Sequence, residues 1–157
     1  MATSSVTRNR GDGRAFWMLG GLYEVRVSSE ETGGAQTVIE MLIPPGFGPP
    51  AHKHPGTETV YVLEGTLTYH IDGQDHEGKP GSVFHIPAGT TECFEPTGKE
   101  NLRVLVTYAP GGIENFFAEA GEIAQKHELP PRSNEAPDIE RIIAIGQKHG
   151  MDILPPA

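Results

Sequence analysis

The sequence predicts an all-β fold, a β-sandwich or barrel, with a short helical stretch at its C-terminal end. Three observations predict it. Short runs with β-type patterning recur from Leu22 onward, each bounded by turn residues. The 157 residues include 20 glycines and 14 prolines, which implies many short elements rather than a few long ones. Asp72-Gly73 separates two alternating runs, the strongest two-residue hairpin signal. This spacing argues against a parallel α/β sheet, which needs a helix between successive strands.

In chain order, residues 1–13 are polar and read as a flexible N-terminal tail. Strands are expected at Leu22–Ser28, Thr37–Ile43, Ala51–His54, Thr59–Leu63, Leu67–Ile71, Ser82–Ile86, Thr91–Glu95 and Leu102–Tyr108. The breaks between them carry Gly33-Gly34, Pro44-Pro45-Gly46, Pro80-Gly81 and Pro87-Ala88-Gly89. The barrel is expected to occupy residues 14–110 and a helical extension residues 111–157. Gly112–Gly121 suits a short helix that buries Phe116, Phe117 and Ala120. Residues 121–136 read as an irregular connector. A second helix begins at Pro137-Asp138, with Ile139, Ile142 and Ile143 on one face and Gly150 as its stop. It is expected to pack on the outside of the barrel.

The net charge of −9 argues against nucleic-acid or anionic-membrane partners, which require a clustered basic surface. A single cysteine, Cys93, excludes an intrachain disulfide and fits a reducing compartment. The N-terminal residues lack the apolar core of a signal peptide, and no apolar run approaches membrane-spanning length. The expected location is cytoplasmic.

The chemistry concentrates in residues 46–65, GFGPPAHKHPGTETVYVLEG. His52 and His54 stand two apart, so in an extended strand both side chains project to the same side. Pro55-Gly56 turns the chain, and Glu58 opens the next run. Two imidazoles and a carboxylate suit a divalent metal and leave positions open for substrate, water or dioxygen. Val60 and Val62 share the parity of Glu58 and should line the interior. Tyr61 and Leu63 should face away.

The order glycine, five residues, His52-Lys53-His54, three residues, Glu58, six residues, Gly65 resembles the first motif of the cupin superfamily at every specified position. The second motif is matched by Gly81 and Pro87-Ala88-Gly89, but Glu92 stands where the family has histidine, and Pro96 where it has asparagine. The resemblance covers about residues 15–110 and is nearest to small single-domain, quercetin-dioxygenase-like cupins. It implies a jelly-roll barrel, a homodimer, a small-molecule substrate and a divalent ion of the Fe, Mn, Ni or Zn type. By position, Glu92 inherits the role of fourth metal ligand. Three readings stay open: Glu92 ligates the ion, Glu92 acts as a catalytic acid or base, or the metal is absent and the barrel only binds a ligand. A site of two histidines and two carboxylates favours harder ions such as Mn or Fe(II) over Cu.

His85 is a possible substitute imidazole if it turns inward, and otherwise an outward strand histidine. His70 either lines the barrel or faces solvent. Cys93 should face away from Glu92 and reads as a buried small hydrophobe. The implied activity is a metal-dependent oxidoreductase of dioxygenase type acting on a small organic molecule. The alternatives are a non-redox isomerase, lyase or decarboxylase, and a non-catalytic ligand-binding protein.

Overall fold

A computed structural model of the chain describes residues 3–156. Its strands are β1 (Ala15–Met18), β2 (Gly21–Val27), β3 (Thr37–Ile43), β4 (His52–Lys53), β5 (Thr57–Glu64), β6 (Leu67–Ile71), β7 (Gln74–Gly78), β8 (Val83–Ile86), β9 (Glu92–Pro96), β10 (Leu102–Ala109), β11 (Glu122–Ile123) and β12 (Asp152–Ile153). Two helices follow the main strands, α1 (Ile113–Ala120) and α2 (Ile139–Lys148). The larger sheet runs β11-β1-β2-β3-β10-β5-β8 and the smaller β12-β4-β9-β6-β7, with every pairing antiparallel. From β3 to β10 the chain passes back and forth between the sheets, the jelly-roll pattern. Core packing, rather than turn chemistry alone, holds the two layers together.

The alternation read from the sequence sets what faces that core. In β10, Leu102, Val104, Val106 and Tyr108 are buried while their neighbours are only half-covered. In β5, Val60 and Val62 are fully enclosed and Tyr61 is exposed. Ile39 and Leu67 complete the centre. Each such side chain contributes about 1.5–3 kcal/mol on removal from water. At the tip of β6–β7, Asp72 and Gly73 adopt φ of 47° and 79°, the two left-handed positions of a type I′ hairpin.

Four strands lie outside the ranges expected from the sequence, although the Asp72-Gly73 hairpin signal implied β7 as the partner of β6. β1 and β7 are short and partly exposed, and β11 and β12 have two residues each, too few for a periodic signal. β11 interrupts the stretch expected to be irregular.

Helix α1 buries Phe116, Phe117 and Ala120, and Phe117 stacks on Tyr23 of β2 with ring centroids 4.7 Å apart. The Asp138 side chain caps α2 by accepting from Arg141 N at 3.0 Å. Of the three isoleucines on its apolar side, Ile142 is the buried one. Glu119 ties the helices together, bonding Lys148 Nζ at 2.6 Å and His149 Nε2 at 2.7 Å. Beyond α2, Gly150 takes a left-handed φ of 80°, and β12 then pairs with β4.

The N-terminal segment lies against the larger sheet. Gly11 N and Gly13 N donate to Glu24 Oε2 at 2.8 and 3.0 Å. Arg10 reaches Glu40, a buried carboxylate that also receives Arg26 and Arg103.

A second buried carboxylate, Glu114, anchors α1. It accepts from Ser29 N at 2.6 Å and from the hydroxyls of Ser29 and Thr37. Thr37 Oγ1 in turn accepts from Gly112 N at 2.9 Å. Burial alone would raise the Glu114 pKa, but these donors outweigh it and hold the value below the ordinary one. A carboxylate lowered on folding stabilises above its unfolded pKa of about 4.3, and that contribution is lost as pH falls through the lower folded value. The wild type should therefore lose unfolding free energy below about pH 4.3 more steeply than Glu114→Gln. Urea unfolding of both across that acid window checks it.

Candidate metal centre

His52 enters from β4, directly across from Glu92 on β9. His54 follows two residues later, and the imidazoles meet edge to face with centroids 4.6 Å apart. Glu58 lies at the start of β5, opposite Tyr108 of β10. The turn between His54 and Glu58 depends on Gly56, since a Cβ there would lie 2.4 Å from Ala109 O. That close approach lets the chain bring a second ligand group back within four residues of His54.

His52, His54, Glu58 and Glu92 each offer one ligand atom, and these atoms all lie within 4.8 Å of one another. All four residues are buried. The structure thus brings together all four residues singled out from the sequence. His70 and His85 stay outside the cluster. His70 faces outward to Asp75 and Glu95, and His85 Nδ1 bonds Thr59 Oγ1 at 3.0 Å. Cys93 does face away from the cluster, but it is only partly buried, paired across from the outward-facing His70.

The electrostatics suit a cation. His52 Nδ1 lies 2.7 Å from Pro50 O, an atom that only accepts, so Nδ1 carries the proton. Its other nitrogen, Nε2, faces Glu92 Oε1 at 3.3 Å. His54 Nε2 lies 3.6 Å from Glu58 Oε2 and has no hydrogen-bond partner. Glu92 Oε2 is likewise buried and unpartnered. Burial, and then the neighbouring His52, pushes the His54 pKa down to about 3, so the ring is neutral and able to ligate. Burial raises the Glu92 pKa, and His52 pulls partly against it. Unpaired buried acceptors are costly unless something positive lies between them. The donor set therefore fits a divalent ion, and the carbonyl contact on His52 is the kind that orients a metal-binding imidazole.

Tyr69 was not singled out from the sequence. It lies on β6 with Leu67, so the parity of that strand directs it inward and His70 outward. Its hydroxyl is 3.2 Å from Glu58 Oε1 and 3.3 Å from Glu92 Oε1, linking the two carboxylates. Tyr69→Phe should keep the fold by circular dichroism yet weaken divalent-ion binding by about 10–100-fold, the range for outer partners of metal ligands. Equilibrium dialysis with elemental analysis reads this directly.

Beside the cluster is a cavity of about 50 Å³, counted as space open to the centre of a water molecule. Its walls include Phe94 and Tyr108 from the sheets, Phe117 and Ile142 from the helices, and Met151 and Ile153 from the C-terminal end. Phe94 and Tyr108 are buried core residues that also line this cavity.

The family profile described as a cupin domain matches residues 39–108. Quercetin 2,3-dioxygenase of Bacillus subtilis is 30% identical over 110 residues, covering 69% of this chain and 32% of that protein. An oxalate-binding protein of Thermotoga maritima is 35% identical over 72 residues, covering 45% and 60%. The chain thus spans about a third of the first relative's length and three fifths of the second's. Among solved structures, a predicted oxalate decarboxylase from Thermotoga maritima superposes with a TM-score of 0.55 at 28% identity, over 57% of this chain and 80% of that one.

Proposed function

This chain belongs to the cupin superfamily, and from that premise we propose that it is a metal-dependent enzyme acting on a small organic molecule held in the cavity. His52, His54 and Glu58 hold a divalent ion, and Glu92 is the fourth ligand. One observation carries this reading: four buried donor groups converge while His54 Nε2 and Glu92 Oε2 have no hydrogen-bond partner among the described residues. The two carboxylates favour a harder ion such as Mn or Fe(II). When bound, that ion polarises a substrate oxygen and can support redox chemistry with dioxygen. The protein's own part is to orient the ligands through Pro50 O and the Tyr69 hydroxyl, and to exclude water with apolar walls.

We take the reaction to be of dioxygenase type, a reading supported by the likeness to quercetin 2,3-dioxygenase. Oxygen-electrode traces with the metal-loaded protein over a panel of small enols and hydroxyketones test it. The expected result is oxygen uptake matched to substrate loss. Turnover that proceeds unchanged in strict anaerobiosis would rule it out.

A specific observation favours a second reading, non-redox proton transfer of the isomerase, lyase or decarboxylase kind. Glu92 is raised by burial and keeps one oxygen free, as a general acid or base requires. Glu92→Gln that retains the ion but loses turnover would assign the proton step to this residue.

A homodimer is also proposed. β8 is an edge strand of the larger sheet, and Tyr61 and Val83, paired across β5 and β8, are exposed apolar side chains. Light scattering on the eluting peak measures the mass.

A further inference from the structure

We propose that the cavity selects an uncharged, largely apolar molecule that turns one oxygen-bearing end toward the His52–Glu92 cluster, and that the C-terminal extension makes this selection. The inference rests on the metal reading above. Its first support is charge. Glu58 and Glu92 balance a divalent ion, and an imidazole ligates only in its neutral form, so the loaded cluster has no positive charge to spare. Among the described residues no lysine or arginine lines the cavity. A dicarboxylate would be stripped of water beside two carboxylates with no cation to receive its second charge. An enol or hydroxyketone enters neutral and has no second charge to strip of water.

The second support is the origin of the walls. Phe116, Phe117, Ile142, Met151 and Ile153 all lie beyond residue 108, where the match to the cupin domain ends. The barrel supplies the metal-binding groups and one side of the apolar lining, with Tyr23, Met41, Phe94 and Tyr108, and the extension supplies the other side. The two are mechanically joined. β12 pairs with β4, with Ile153 opposite His52, and Leu154 N donates to Ala51 O at 2.8 Å. A ligand pressed against Met151 and Ile153 is therefore held in fixed register with the imidazole of His52.

The test compares three probes by isothermal titration calorimetry on Mn(II)-loaded protein: ortho-hydroxyacetophenone, salicylate and oxalate. The first two share a ring and hydroxyl and differ by a neutral methyl ketone against a carboxylate. The neutral ketone should bind at least about tenfold more tightly than salicylate, with oxalate weakest. Met151→Lys, folded by circular dichroism and retaining its ion, should narrow that preference about tenfold by offering the missing cation. Salicylate or oxalate binding as tightly as the ketone to the wild type, or no ketone binding at all, would overturn the inference. An unchanged preference in a folded Met151→Lys would overturn the role given to the extension, and the wild-type comparison stands without that variant. Elemental analysis of the same samples separates the failures. Protein that takes up no ion sinks the metal reading and this inference with it, whereas an ion bound with the probe order reversed sinks this inference alone.

Discussion

His54→Ala should cost the protein its divalent ion, with affinity falling by more than about 100-fold, beyond the range seen for outer partners of metal ligands. His54 has no structural duty that would confuse the result. Its Nε2 makes no hydrogen bond, and its ring rests on His52 and Tyr108. Burial has already forced the ring neutral, so the wild type retains an unprotonated imidazole at this position through mildly acidic pH. Removing it leaves Glu58 and Glu92 as two buried carboxylates with one fewer neutral donor between them. Elemental analysis after dialysis should find stoichiometric ion in the wild type and near none in the variant. Full occupancy in a folded His54→Ala would remove the imidazole from the site.

The second large effect concerns stability. Glu40→Ala should destabilise the fold by about 3–5 kcal/mol, the usual penalty for removing one member of a buried ion pair. Glu40 is 4% exposed and lies at the meeting point of three arginines. Arg26 approaches at 2.7 Å, Arg103 at 2.8 Å and Arg10 at 2.6 Å. Arg26 and Arg103 are themselves largely covered, so without Glu40 their charges face one another in a poorly solvated space. Arg10 belongs to the N-terminal segment and would lose its anchor on the sheet. Chemical denaturation measures the loss. Arg10→Ala, whose side chain is half-exposed, should cost about 1 kcal/mol or less.

The sequence disclosed those features that depend on short-range pattern. Apolar alternation located eight strands and the inward direction of Val60 and Val62, because a period of two decides the face. The helix of residues 113–120 was legible because Phe116, Phe117 and Ala120 recur at helical spacing. The cluster was legible because three of its members fall within seven positions, and because a family pattern pointed to the fourth. Features assembled at long range were hidden. Glu40 and its arginines come from four separate segments. Tyr69 meets Glu58 and Glu92 only after the two sheets face each other, although its strand parity was a usable clue. Part of the apolar lining comes from the far end of the chain, where the isoleucines of α2 announced a buried face but not what it would cover.

The short strand that carries His52 is two residues long and lies between Glu92 on one flank and Ile153 on the other. A chain emerging from the ribosome carries His52, His54 and Glu58 about a hundred residues before the last flanking strand is made. Capture of the ion and enclosure of the pocket would then be separate events in the protein's biogenesis. These three groups would meet whatever cation the nascent chain encounters first, and the late-arriving flank would seal that choice in.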